Sequence, residues 1–364
     1  MKLVPIGVGR AGGRVLDRLL AYETTRGTDC IQHAVAVSSS DRALESLDHV
    51  PTSTRLLLGR ASNQDTASES DRDVGAARVQ EHLDEIQTAV GRAEPDAVDA
   101  FLVIAGLGGE TGSGGAPLIA ERFQSRSSKP VFGLGLLPTT AESGRKNYDT
   151  AVALHPFVEH TDTVLAFDND PFKPSGQSLP ESYDELNEAL ATRFGLLFAA
   201  GEIEAMSGPV ADTVVDPSEI IETLSGHGLA SLGYAAESLE SDSDSGFLSR
   251  LFGSDKPEFV STGDAVNRLT GLARRATLGT LTLPCEVEST SRAYVIVAGP
   301  PAQLDREGIN EARKIVEENT DCRNVRIRTY PLPTADRVAV LVVLSGVTEV
   351  PRIEEIQELA EDPE

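Results

Sequence analysis

Apolar and polar positions along this chain predict strand, glycine loop and helix in repeated succession. Residues 3–8 (LVPIGV) form an unbroken apolar run that meets Gly7, Gly9, Gly12 and Gly13. Continuous apolar runs are the mark of strands buried on both faces of a parallel sheet. Val15, Leu16, Leu19 and Leu20 then recur at i, i+1, i+4 and i+5, the stripe of a helix packed on one face. Further strands are predicted at 33–38 (HAVAVS), 100–105 (AFLVIA), 131–137 (VFGLGLL) and 163–167 (TVLAF). Helices are predicted at 81–90 and, after a second glycine-rich loop, at 116–123. Such alternation predicts a doubly wound α/β domain with a parallel sheet.

The second half has a different texture. A helical stretch at 179–205 carries Leu186, Leu190, Phe194, Leu197 and Phe198 and is expected to cross behind the first domain until Ser207-Gly208-Pro209 ends it. Asp216-Pro217-Ser218-Glu219 is a strong helix start, with Asp at the N-cap, Pro at the first position and Glu at the third. Helices at 265–278 and 306–318 and strands at 293–298 and 337–344 predict a second, smaller α/β domain. The expected division is 1–206, including the central helix, then 207–350 with an acidic surface loop at 238–257, then an acidic tail at 351–364, mostly solvated from Glu354.

Charge narrows the classes of partner. The 364 residues carry 32 Lys plus Arg against 57 Asp plus Glu, a formal charge of −25, which argues against a nucleic-acid partner. Only six of the basic residues are lysine. An acidic, lysine-poor surface suits a molar-salt cytoplasm, where a Debye length of about 3 Å screens self-repulsion. The apolar runs fall far short of the ~20 residues of a membrane-spanning helix, and the opening MKLVPIGVGRAGG does not read as a signal peptide. Cys30, Cys285 and Cys322 form no CxxC pair, so neither a disulfide framework nor a metal site is expected.

The candidate chemistry lies in the two loops. Gly7-Val8-Gly9-Arg10-Ala11-Gly12 matches GxGxxG between a strand and a helix, which suits phosphate binding at a helix N-terminus. A dinucleotide site of an NAD-dependent oxidoreductase would fit too, but it wants an acid at the tip of the second strand. That strand ends in Ser38-Ser39-Ser40, and Asp41 arrives late. The second loop, Gly106-Leu107-Gly108-Gly109-Glu110-Thr111-Gly112-Ser113-Gly114-Gly115, holds more glycine than the positive φ of one tight turn requires. Its hydroxyls and N–H groups read as a nest for anionic oxygens.

That loop is close to the GGGTGSG signature of the tubulin/FtsZ superfamily, and within it the chain resembles the CetZ group, the tubulin-like cytoskeletal proteins of haloarchaea. GVGRAGGRV at the start, FDND at 167–170, LNEALATRFGLLFAAGE at 186–202, VVDPSEIIETLSGHGLASLGYA at 214–235, LTLPCEVE, VIVAGPP and the terminal LSGVTEVPRIEEIQ carry the resemblance in order. It implies an N-terminal Rossmann-like GTPase domain with a parallel sheet, a long central helix and a smaller C-terminal α/β domain. It implies a GTP or GDP site formed by Gly9, Arg10, Ala11, Gly12, Gly13 and Arg14 together with Gly108, Gly109, Glu110, Thr111, Gly112, Ser113 and Gly114. Glu142 would contact the ribose, and Asn169 and Asn187 would read the guanine or its sugar, with Mg²⁺ accompanying the nucleotide. An amide both donates and accepts, as a purine edge requires.

The resemblance further implies a cytoplasmic protein that assembles head to tail with itself, with other CetZ-like subunits as further partners, in the control of cell shape. Asp216 and Glu219 would then complete the hydrolytic site of the neighbouring copy. Three positions depart from the family. Glu110 replaces the third glycine of the signature and would point outward or pair with Arg10 or Arg14. Ala67-Ser68-Glu69-Ser70-Asp71 stands where the family has a glycine-rich loop, and Val214 stands where it has Asn. These departures motivate an alternative expectation, a weakly nucleotide-binding, non-hydrolysing relative with a structural or regulatory role.

Overall fold

The computed structural model describes residues 1–59, 71–93, 97–200, 214–226, 228–239 and 262–361. The expected acidic loop beyond residue 239, the 67–70 segment with Glu69, the stretch 201–206 and the 206/207 boundary lie outside these residues.

The strands are β1 (Leu3–Val8), β2 (Val35–Ser38), β3 (Arg55–Leu57), β4 (Ala100–Gly106), β5 (Val131–Leu137), β6 (Thr163–Asp168), β7 (Leu229–Ser238), β8 (Arg292–Gly299), β9 (Arg326–Pro331) and β10 (Arg337–Val347). They form one sheet in the order β3-β2-β1-β4-β5-β6-β7-β10-β8-β9. All adjacent pairs are parallel except those that β10 makes with β7 and β8. The expected second α/β unit is therefore joined to the first through the sheet itself. The seam is narrow: Val164 pairs with Leu229 and Leu165 with Ala230.

The helices are α1 (Gly9–Arg26), α2 (Asp41–Glu45), α3 (Asp71–Val90), α4 (Glu110–Arg126), α5 (Gly144–Glu159), α6 (Leu179–Ala199), α7 (Pro217–Leu224), α8 (Thr262–Leu278), α9 (Arg306–Thr320) and α10 (Pro351–Glu361). They cover both faces. On one, Val79 and Leu83 of α3, Ile119 and Phe123 of α4, Leu269 and Leu272 of α8 and Ile356 of α10 share a core with alternate strand residues. On the other, Leu16 and Leu19 of α1, Leu190 and Phe194 of α6 and Ile220 and Leu224 of α7 do so. This is the layered architecture that continuous apolar strands demand.

Several expectations are corrected. The helix after the second glycine loop begins at Glu110 and not at Ala116, so Gly112, Gly114 and Gly115 are helical. The helix expected at 81–90 starts at Asp71. Helix α5 and strands β3, β7 and β9 were not expected from the apolar pattern. Within the mostly solvated tail Ile356 of α10 is buried, as are Arg352 and Ile353 just before Glu354.

Candidate functional site

Strands β1, β4, β5 and β6 run in the same direction, so the segments that follow them gather at one end of the sheet. The connections diverge between β1 and β4, because α1 packs on one face and α4 on the other. Such a switch point opens a crevice at the carboxyl ends of the strands. A cleft of about 360 Å³ lies there.

Both helix starts in this crevice are open. Helix α1 has Val8 at its N-cap and no acidic residue in its first turn. Helix α4 has Gly109 at its N-cap, and neither cap supplies a side-chain hydrogen bond. Unsatisfied first-turn N–H groups and the positive end of the helix dipole suit an anion. Gly9, with φ of 72°, takes the left-handed region that favours glycine. A Cβ on it would lie 3.4 Å from the Gly112 nitrogen, between the two helix starts. Beside them the hydroxyls of Ser39 and Thr111 are 3.1 Å apart and hydrogen-bonded.

The rest of the cleft is lined by Glu142, Lys146, Asn169, Leu179, Tyr183, Leu186 and Asn187, with Lys146 close beside Gly108. Asn169 is oriented by donating from Nδ2 to the Leu137 carbonyl at 2.8 Å. Glu142 accepts from the Thr139 N–H at 2.9 Å and pairs with Lys146. The Arg14 guanidinium lies 5.0 Å from the centre of the Tyr183 ring, so a cation–π contact ties α1 to α6 across the cleft. Behind this wall, Arg352 of α10 is 6% exposed and donates from Nη2 to the Pro138 carbonyl at 2.8 Å. It also lies 3.5 Å from Asp168 and 3.7 Å from Asp170, the residues flanking Asn169. Burial pushes the Asp168 carboxyl up to about 6 in spite of the nearby guanidinium.

The cleft gathers Gly9, Arg10, Ala11, Arg14, Gly108, Gly109, Glu110, Thr111, Gly112, Glu142, Asn169 and Asn187 of the expected site residues. Gly12, Gly13, Ser113 and Gly114 are not among its lining. Gly12 is a packing glycine: a Cβ there would sit 2.1 Å from the Ile104 carbonyl oxygen. Gly114 is another, with a Cβ 2.1 Å from the Arg72 carbonyl oxygen. The glycines thus serve close backbone approach as much as any nest. Glu110 pairs with neither Arg10 nor Arg14 but with Arg78 of α3. Sequence reasoning missed Ser38, Ser39, Lys146 and Tyr183 as lining residues. The serines end a predicted strand, which was the available signal.

Asp216 and Glu219 stand elsewhere, and neither lines the cleft. Asp216 caps α7 as expected, accepting from the Ser218 N–H at 2.9 Å and hydroxyl at 2.8 Å, and remains exposed. Glu219 pairs with Arg328 and accepts from the Tyr294 hydroxyl at 3.2 Å. Burial, reinforced by Glu219, raises the Tyr294 phenol and keeps it a donor. At the far end of α7 the Leu224 carbonyl accepts from the hydroxyl of Thr163, the first residue of β6. Helix α7 therefore descends toward the amino ends of the parallel strands. The six residues of β6 separate that end from the cleft by about 20 Å at ~3.3 Å per residue.

Residues 2–175 match the tubulin/FtsZ family, GTPase domain, and residues 176–362 match the tubulin-like CetZ, C-terminal domain. The chain is 44% identical to tubulin-like protein CetZ1 of Haloferax volcanii over 99% of its own length and 92% of the relative's. It is 26% identical to tubulin-like protein CetZ of Pyrococcus abyssi, over 98% and 88%. Among solved structures it resembles the GDP-bound monomer of CetZ1 from Haloferax volcanii with a TM-score of 0.86 at 40% identity, over 100% of this chain and 99% of that one. The GTPγS-bound protofilament of CetZ2 from the same organism gives 0.85 at 33% identity, over 100% and 98%. By sequence and by fold, the chain belongs to the tubulin/FtsZ family, in its tubulin-like CetZ branch.

Proposed function

We propose that this chain is a cytoskeletal filament subunit that binds a guanine nucleotide in the cleft and hydrolyses GTP only between adjoining copies. The opposed placement of its two candidate site halves carries the reading. The open helix starts lie at the carboxyl ends of the strands, and α7 descends to the amino ends. Asp216 does not line the cleft of its own chain, and head-to-tail stacking would bring it to the cleft of the next copy, a heterologous contact that extends into a filament. A GTPγS-bound protofilament of a CetZ relative supports the assembly, and a GDP-bound relative supports the nucleotide.

The residues present suit that ligand. The α1 and α4 starts offer uncapped N–H groups to phosphate oxygens, with Arg10, Arg14 and Lys146 as nearby cations. Glu142 would hold ribose hydroxyls, and Asn169 and Asn187 would meet the base, where an amide can satisfy both donor and acceptor edges. Mg²⁺ would accompany the phosphates. Asp216 of the neighbouring copy would orient and deprotonate the attacking water, since phosphoryl transfer depends mostly on positioning and electrostatics. Glu219 is already engaged by Arg328 and Tyr294, which gives it the task of holding the α7 start in place. A role in cell shape would follow from filament formation.

The test is GTP turnover as a function of protein concentration in molar KCl. The rate per subunit is expected to rise with concentration and to saturate as filaments form. A constant rate per subunit would refute the shared site. Binding without turnover at any concentration would favour the non-hydrolysing alternative, to which Val214 and Glu110 point.

A further inference from the structure

We infer that Arg78 is a positioning residue for the phosphate end of the cleft, pairing with Glu110 so that a carboxylate is tolerated beside an anionic ligand. The inference rests on the guanine-nucleotide reading above. Glu110 opens α4 and lines the cleft, in the turn whose free N–H groups would meet phosphate. An unpaired carboxylate there would repel each phosphate charge and compete with it for the positive end of the helix dipole. Its side chain is instead joined to the Arg78 guanidinium, which is only 16% exposed.

Backbone packing fixes this pair. Helices α3 and α4 lie against one another so closely that a Cβ on Gly75 would sit 2.1 Å from the Glu110 carbonyl oxygen. Arg78 follows Gly75 by three residues, on the same face of α3, and so is delivered to the first turn of α4. Among the other nearby charges, Arg72 pairs with Asp73, Lys146 pairs with Glu142, and Arg14 lies over Tyr183. Arg78 Nε is buried with no hydrogen-bond partner among the described residues, so the guanidinium has traded hydration for one carboxylate. The pair thus acts as a neutral unit where the family signature has a small, uncharged residue. Arg78 should be dispensable only where Glu110 is neutralised as well.

GDP and GTP affinities of the full chain, R78Q, E110Q and R78Q/E110Q, measured in molar KCl alongside their melting temperatures, test this. R78Q is expected to lose about tenfold in affinity, more for GTP than for GDP because of the extra phosphate charge. E110Q should bind more tightly than the unaltered protein, since it removes a carboxylate and frees the Arg78 charge, and the double variant should return to within about threefold of the unaltered protein. Raising KCl should narrow the R78Q defect, since a shorter Debye length screens repulsion but does not repair a damaged fold. Should R78Q fail to fold, recovery of folding and binding in the double variant would still support the inference, and its failure to recover would overturn it. R78Q binding within twofold of the unaltered chain would overturn it. So would a double variant as weak as R78Q, because Arg78 would then act directly on the ligand. If the unaltered chain binds no guanine nucleotide, the nucleotide reading itself fails and the inference falls with it.

Discussion

The helix starts of this protein differ in how their first-turn donors are satisfied, and the contrast bears on what the cleft offers a ligand. Helices α7 and α9 are capped by their own Asp216 and Asp305, and α6 by a capping box from Ser178 and Glu181. Their first-turn donors are satisfied within the chain. Helices α1 and α4, which face the cleft, have Val8 and Gly109 at their N-caps and no side-chain cap. Helix α5 also starts without a side-chain cap, at Ser143, so what sets α1 and α4 apart is that both open starts converge on one cleft, where an anion could complete them. The capped start of α7 remains chemically available, because the carboxylate that caps it is exposed.

The largest effect should come from changing what the α7 cap can do without changing that it caps. Asp216→Asn keeps a good N-cap, since Asn and Asp are about equal there. It removes the proposed base. Turnover per subunit is expected to fall about 10²- to 10⁴-fold, the usual contribution of a general base, while stability changes by less than about 0.5 kcal/mol. Unfolding curves and steady-state GTP hydrolysis on the same preparations check both halves. Full turnover in the variant would reduce Asp216 to a structural cap and break the contrast.

At the open starts the order reverses, and the fold suffers first. A Cβ on Gly112 would lie 2.2 Å from the Gly106 carbonyl oxygen, so Gly112→Ala must push two backbones apart. A loss of about 3 kcal/mol is expected in denaturant unfolding, the upper range for overpacking. Gly9→Ala meets only ordinary contacts, at 3.4 Å, and its strain comes from φ of 72°. It should cost about 1–2 kcal/mol and remove nucleotide binding at protein concentrations where the chain is still folded. Equal loss of stability in the two variants would show that packing alone explains both glycines.

Much of this architecture is legible in the apolar pattern, for a physical reason. Strands β1, β4, β5, β6, β8 and β10 are buried on both faces and write themselves as continuous apolar runs. Strand β7 escapes notice because its sequence, LASLGYAAES, must include Gly233, where a Cβ would strike the Ala276 carbonyl oxygen at 1.7 Å. The edge strand β9, RIRTYP, is hidden by arginines that serve α7, since Arg328 pairs with Glu219 and Arg326 with Glu222. Helix α10 reads as an acidic tail because Ile353 and Ile356 are few among its glutamates. The candidate site was legible as two loops. That Glu110 finds its partner in α3 was not, because pairing across two helices is a tertiary fact.

A smaller effect should appear in pH dependence behind the cleft wall. The Asp168 carboxyl is held at about 6 by burial, above its ordinary 3.8. A group raised on folding lends stability that is complete below about 3.8 and is lost as pH rises through about 6. Asp168→Asn removes that slope. The stability of the variant relative to the unaltered protein should therefore improve by about 2–3 kcal/mol between pH 4 and pH 7, following the ~1.4 kcal/mol per pKa unit of linkage. Denaturant unfolding at several pH values reads this difference, and the constant offset from the altered Arg352 contact drops out of the slope. A flat difference would mean that the Arg352 guanidinium holds Asp168 ionised across the range.

The smallest effect should be at the rim. Arg18 of α1 and Glu188 of α6 form an ion pair at the surface, one turn from the Arg14–Tyr183 contact that spans the cleft. Their side chains are 45% and 56% exposed, so water competes for both charges, and molar salt shortens the Debye length to about 3 Å. Helix α6 is instead seated by Leu186, Leu190, Phe194 and Phe198, all buried against the sheet. Arg18→Ala is expected to change stability by less than about 0.5 kcal/mol and nucleotide affinity by less than twofold. A tenfold loss of affinity in titrations at molar KCl would be informative. It would mean that the core positions α6 only coarsely and that the rim charges set the distance between α1 and α6 on which Asn187 and Tyr183 depend.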